Sequence, residues 1–188
     1  MGMMKIVQAP RPVLSQVAKP IAKIDKEILL LIKDMEKSLL SASDPEGVGL
    51  AAPQVGKSLQ LFLVKQSPDS PLQVFINPEI KSIIKQAETK PKGKKRKNKD
   101  GVQLEGCLSL QDIWGVVRRH KEVVLSYQDE KGHKHERTFD GFLATIIQHE
   151  YDHLQGVLFP KRVLEQKNIL YKSKKDKTGE MVFEEITL

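Results

Sequence analysis

Apolar residues recur at helical spacing in two stretches of the chain and in short β-branched or aromatic clusters between them. After Asp25 come Ile28, Leu29, Leu31, Ile32, Met35 and Leu39, a period that lays one apolar face along a helix, and Asp25 has the side chain of an N-cap. A helix over about Asp25 to Leu40 is predicted. The second stretch opens near Asp140 and carries Phe142, Leu143, Ile146, Ile147 and Leu154, with Gly156 placed to end it.

Between the helices, Leu59 to Val64, Val74 to Asn77 and Ile80 to Ile84 are separated by Pro, Ser and Asn and read as strands. Val116 to Val117 and Glu122 to Tyr127 are further strand candidates. Asp129-Glu130-Lys131-Gly132 has turn composition ahead of a return strand through Phe139. Ser41 to Glu46 is turn-rich, and Gly47 to Gln54 reads as a small-residue loop. The lysine-rich end, Ile169 to Leu188, with Thr178-Gly179 inside it, is expected to be a hairpin or an extended tail. Strands grouped between two separated helices, without regular alternation, predict an α+β fold with mostly antiparallel sheets around the second helix plus an N-terminal helix.

Composition narrows the classes. The chain has 188 residues, enough for one domain with its own core, and one domain over 1–188 is expected. No apolar run reaches the roughly 20 residues that cross a bilayer, and Met1 to Val7 does not resemble a secretory signal. The expected setting is cytoplasmic, bacterial in type, with an organelle left open as the alternative. A single cysteine excludes an internal disulfide and leaves Cys107 for packing, nucleophilic attack or metal binding.

The net charge of +7 is concentrated in one place. Lys90 to Lys99 reads KPKGKKRKNK, with seven bases and no acid, and outside it Lys and Arg equal the 24 Asp and Glu. This stretch reads as a solvated loop inserted at about 86–101 rather than a domain boundary, and contact with ribosomal RNA through it is the alternative.

His149-Glu150-Tyr151-Asp152-His153 places two imidazoles at i and i+4, on one helix face and within reach of one ion, with Glu150 beside them. A catalytic metal site needs a third protein ligand and an open position. The metzincin pattern H-E-x-x-H-x-x-G-x-x-H matches through Gly156 and then fails, because Phe159 takes the last histidine position. No histidine follows His153, and Glu165 is the nearest downstream carboxylate. Upstream stand His120, His133 and His135, in charged or turn-like sequence, and Cys107, in Glu105-Gly106-Cys107-Leu108-Ser109, where Gly106 permits close backbone approach. A lone buried cysteine is as often a small hydrophobe as a ligand.

Three segments weigh against that bland reading: Gly47-Val48-Gly49-Leu50-Ala51-Ala52-Pro53-Gln54, then Glu105-Gly106-Cys107-Leu108-Ser109, then Gln148-His149-Glu150-Tyr151-Asp152-His153. In this order the chain resembles the peptide deformylases, which remove the formyl group from the N-terminal methionine of nascent chains, and the resemblance spans Val7 to Val163. It implies a compact α+β fold and one divalent cation held by Cys107, His149 and His153, Fe(II) in the cell, replaceable by nickel, cobalt or zinc. It also assigns Gly49 and Gln54 to the active site. The first segment spells G-x-G-x-x-A as well, but polar Ser41 to Glu46 before it and Pro53 after it deny the strand and helix that a dinucleotide fingerprint requires.

Chemistry and resemblance together make Glu150 the proton carrier and give the oxyanion two donors, the Gln54 amide and the Leu108 N–H. Val48, Gly49, Gly106, Phe142 and Ile146 are the expected substrate-contacting residues, the apolar ones for methionine. The expected partners are N-formylmethionyl peptides and nascent chains at the ribosome, with no membrane. Two other classes compete: a metalloprotease of the HExxH type, and a ribosome- or RNA-binding protein with an inactive site. The chain departs from the resemblance at Ser109-Leu110-Gln111, where proline is common. Arg119 stands near the place of a family arginine by the substrate-binding strand, with Arg118 beside it leaving the register open.

Overall fold

The structure is a computed structural model that describes residues 2–43, 45–86 and 103–187. The basic segment Lys90 to Lys99 lies outside the described residues, as does most of the inserted loop predicted at 86–101. The first helix, α1, covers Lys26–Ser41, and its cap is the expected one: the Asp25 carboxylate accepts from the backbone N–H groups of Glu27 and Ile28 at 3.0 and 3.1 Å.

Among the described residues nine strands follow in two sheets. The first sheet has the order β1 (Gly49–Ala51), β2 (Leu61–Val64), β3 (Gln73–Gln86), β6 (His120–Gln128) and β7 (Lys134–Asp140). The second has the order β4 (Glu105–Cys107), β5 (Leu110–Gly115), β8 (Leu170–Lys175) and β9 (Met181–Glu185). Every pairing among these strands is antiparallel. The fold is α+β.

The apolar run Leu61-Phe62-Leu63-Val64 is buried throughout because helices cover both faces of its sheet. Phe62 and Val64 join Phe75, Val123, Leu125, Phe139, Ala144, Ile147 and Leu154 on one side. Leu61 and Leu63 turn the other way, onto Ile32, Met35 and Leu39 of α1. The first of these clusters seats the second helix, α2 (Gly141–Leu154), which ends ahead of Gly156 as predicted.

Several expectations change. The two strands predicted on either side of Pro78 are one strand, β3, whose ladder with β6 shifts register between Ile76 and Glu79. Proline donates no ladder hydrogen bond, so the strand bulges there. Asn77 takes a left-handed φ of 49° and its side chain bonds both backbone groups of Ile21 at 2.8 Å. The loop predicted over Gly47 to Gln54 contains β1 and a 3-10 turn, Ala52–Val55. The strand predicted at Val116 to Val117 is not one: β5 stops at Gly115, and the chain crosses to β6 without a ladder. A short helix, α3 (Phe159–Glu165), appears where no element was predicted. The lysine-rich end is a hairpin, β8 and β9.

Candidate active site

Two elements converge on the site. Helix α2 turns its apolar residues onto the first sheet and carries His149 and His153 one turn apart, their ring centroids separated by 5.0 Å. The second sheet supplies Cys107 from the end of β4. Gly106 lies against the Trp114 ring, and a Cβ there would come within 2.6 Å of it. Directly after Gly106 the register with β5 shifts, so that Cys107 pairs with Leu110 across a two-residue turn. Bulges of this kind re-aim a side chain next to functional sites.

The Cys107 sulfur lies 3.2 Å from His153 Nε2. The ligating atoms of Cys107, His149 and His153 all fall within 4.8 Å of one another. Atoms bound to one ion at about 2.0–2.3 Å must stand roughly this close, so the cluster fits a single cation. Among the described residues it is the one His, Cys and carboxylate group with that geometry. The donor types agree with a first-row divalent metal and not with Mg²⁺ or Ca²⁺, which take oxygen ligands. Burial pushes His153 well below its ordinary value and keeps it a neutral donor.

Glu150 is 3% exposed, and its Oε2 has no hydrogen-bond partner among the described residues. Burial, opposed by the nearby His149 ring and helped by Glu105, pushes its carboxyl up to about 7. Gly49 makes room for it: a Cβ at that position would run into the carboxylate, reaching Cδ at 2.8 Å. Gln54 approaches from the 3-10 turn. Its Oε1 accepts from Ala51 N–H at 2.8 Å, which orients the amide so that Nε2 donates toward the Cys107 sulfur at 3.5 Å. Leu108 follows Cys107 in the turn, half-buried, and its carbonyl accepts from Gln8 Nε2 at 3.0 Å.

The remaining expected residues fall into two places. Val48, Phe142 and Ile146 pack on the same apolar cluster between α2 and the first sheet. Gly106 is held against Trp114. His133 and His135 are remote from the cluster and share the Asp129 carboxylate in the turn between β6 and β7. His120 begins β6, where both its backbone groups bond to the Gln148 amide at 2.9 Å. Glu165 pairs with Arg162 at 3.0 Å.

The sequence reading missed a charged chain behind the ligands. His149 Nδ1 meets Glu105 Oε1 at 2.7 Å. Both Glu105 oxygens accept from Arg119, at 2.6 and 3.1 Å, and Arg119 Nη1 donates to Asp152 at 2.6 Å. Arg162 on α3 closes the far side of Asp152 at 2.7 Å. Burial works against the Glu105 charge, yet Arg119 and His149 hold its carboxyl well below the usual carboxylate range. Of the two adjacent arginines, Arg119 is the buried one, at 6% exposure, and it serves this chain. The available signal was charge inside the ligand motifs themselves: Glu105 two residues before Cys107, and Asp152 between the histidines.

The comparisons agree with this architecture. The family model described as Polypeptide deformylase matches residues 3–168. The chain belongs to the polypeptide deformylase family. A peptide deformylase of Pseudothermotoga lettingae is 40% identical over 148 residues, which cover 79% of this chain and 75% of that one. The crystal structure of the peptide deformylase from Thermotoga maritima superposes with a TM-score of 0.70 at 34% identity, covering 86% of this chain and 98% of that one. A class I type b peptide deformylase from Acinetobacter baumannii, crystallised with Met-Ala-Ser bound, gives a TM-score of 0.71 at 30% identity over 86% of this chain and 100% of that one. The activity that goes with polypeptide deformylase is metal-dependent hydrolysis, in which the N-terminal formyl group is removed from nascent polypeptides. Among the described residues no helix is long and apolar enough to cross a membrane.

Proposed function

We propose that deformylation in this chain is performed by Glu150 beside a cation held by Cys107, His149 and His153, with Gln54 and Leu108 as oxyanion donors. The observation that carries the reading is the buried Oε2 of Glu150, without a hydrogen-bond partner among the described residues, beside the Cys-His-His cluster. A buried carboxylate oxygen left without a partner carries a desolvation penalty, which a proton in transit relieves. When bound, the cation supplies a Lewis acid that acidifies water and polarises the formyl carbonyl. Fe(II) is our assignment from the family resemblance, and zinc, nickel and cobalt suit the same donors.

Glu150 Oε2 takes the proton of the water that adds to the formyl carbon, then delivers it to the methionine nitrogen as the C–N bond breaks. Formate and a free α-amine result. Burial raises the proton affinity of the Glu150 carboxyl, which favours its holding the proton between the two halves of that exchange. Gln54 Nε2 and the Leu108 N–H donate to the formyl oxygen as it gains charge. Val48, Phe142 and Ile146 offer apolar contact to the methionine side chain, with Gly49 and Gly106 keeping backbone close to the peptide.

Strand β1 supports an extended peptide as the occupant. Among the described residues it pairs with β2 alone, so its outer edge presents backbone groups beside Glu150 to which a peptide can add as a strand. The Acinetobacter baumannii relative holds Met-Ala-Ser, a peptide of the product type. We place the reaction in the cytoplasm at the ribosome. The seven bases of Lys90 to Lys99 favour contact with ribosomal RNA, and unchanged ribosome co-sedimentation after deletion of residues 90 to 99 would remove that contact from the proposal.

The test is an anaerobic formate assay on a formyl-Met peptide with metal analysis of the same sample. Glu150→Gln keeps the cation and loses turnover by about 10²-fold or more, and a chelator abolishes turnover until metal is restored. A metal-loaded Glu150→Gln protein working at the unsubstituted rate refutes the assignment.

A further inference from the structure

One short segment near the N-terminus touches both turns that bring donors to the reaction. Val7 N–H donates to the Gln54 carbonyl at 2.8 Å, Gln8 Nε2 donates to the Leu108 carbonyl at 3.0 Å, and Ala9 N–H donates to the Ser109 carbonyl at 3.0 Å. The outer two links are backbone to backbone and any residue can make them. Gln8 supplies the side-chain link, and it crosses from residue 8 to residue 108.

The group that Gln8 grips is the Leu108–Ser109 peptide. Its carbonyl end is held by Gln8, and its amide end, Ser109 N–H, donates to the Cys107 sulfur at 3.4 Å. A peptide is a rigid plane, so fixing the carbonyl aims the N–H. The same plane adjoins Leu108, whose own N–H is separated from it by the Leu108 dihedral angles alone. Gln54 is tied to the same three residues through Val7. Segment Val7 to Ala9 therefore sets the spacing between the two turns.

We propose that Gln8 is a positioning residue: through the Leu108 carbonyl it holds the Ser109 N–H on the Cys107 sulfur and keeps the Leu108 donor in register with Gln54. This rests on the donor assignment made for Gln54 and Leu108 above. A displacement near 1 Å in a catalytic group is enough to slow a reaction by about 10²-fold, and loss of one neutral clamp from a turn with other anchors is expected to give about 10-fold.

The test compares Gln8→Met, which keeps length and packing without the donor, with Gln8→Lys, which restores an N–H. Expected for Gln8→Met is a kcat about 10-fold lower with KM and melting temperature close to the unsubstituted protein. In the cobalt-loaded enzyme the sulfur-to-metal charge-transfer band moves to lower energy, because a hydrogen bond to sulfur stabilises the donor orbital. Gln8→Lys recovers both part of kcat and part of the band shift. An unmoved band with unchanged kcat in Gln8→Met overturns the proposal, and so does a loss of activity that follows the folded fraction alone. Glu150→Gln in the same assay separates the two levels. If it still turns over, the functional reading is at fault; if it is silent while Gln8→Met works normally, only the role of Gln8 falls.

Discussion

His149 and His153 stand one turn apart on the same helix and face the same sulfur, yet their Nδ1 atoms meet different surroundings. His149 Nδ1 reaches a carboxylate at 2.7 Å that is itself gripped by a buried guanidinium. His153 Nδ1 has no hydrogen-bond partner among the described residues, and its ring is fully packed. One ring is aimed by an electrostatic chain that runs through Glu105, Arg119 and Asp152 to Arg162, the other by the shape of the core. The carboxylate behind His149 fixes the tautomer and strengthens the ring as a donor. Close packing alone can hold a ring in place, but it adds no basicity.

The widest breach of this contrast comes from Arg119. Replacing it as Arg119→Met leaves the Glu105 and Asp152 carboxylates buried without their shared cation, an arrangement expected to lose about 3–5 kcal/mol. Urea denaturation of the metal-loaded protein measures it, and a loss under about 1 kcal/mol would mean that the chain is an incidental surface pairing. Next in size is Glu105→Gln, which keeps the shape and removes the charge behind His149. Metal affinity should drop by about 10-fold to 100-fold in competition with a chelator, with folding largely retained. Equal affinity before and after would erase the difference between the two ligands. The smallest effect belongs to Arg162→Ala. Its side chain is 36% exposed and Asp152 keeps Arg119, so stability should change by less than about 1 kcal/mol; a larger change would extend the anchored region out to α3.

Much of the fold follows from local pattern. The Asp25 cap, the two amphipathic helices and the turn before β7 depend on neighbours a few residues apart, and they appear where the periodicity puts them. The same local logic failed at Pro78, because a proline that ends most strands is tolerated where a bulge absorbs it and Asn77 finds a remote partner in Ile21. It failed at α3 as well. Phe159 and Val163 are its only buried positions, too few to announce a helical period, and its place is set by packing against Cys107 and Leu170.

At the site, the His149 and His153 pairing was legible because helical geometry alone puts i and i+4 on one face. Cys107 was legible through its motif. The partners of Arg119 were not, since nothing within a few residues of it says which carboxylates it will meet; Glu105 and Asp152 lie 14 and 33 positions away.

From its order of residues alone, then, this protein carries its two longer helices, the strand segments of β2, β3, β6 and β7, its candidate ligand types and its membership of a hydrolase family, all of which depend on chemistry and short-range spacing. Tertiary structure alone decided that His149 is aimed by charge and His153 by packing, that Gly49 clears space for Glu150, and that Gln8 reaches Leu108. Those facts arise between surfaces brought together by burial of the core, where distance in space bears no fixed relation to distance along the chain.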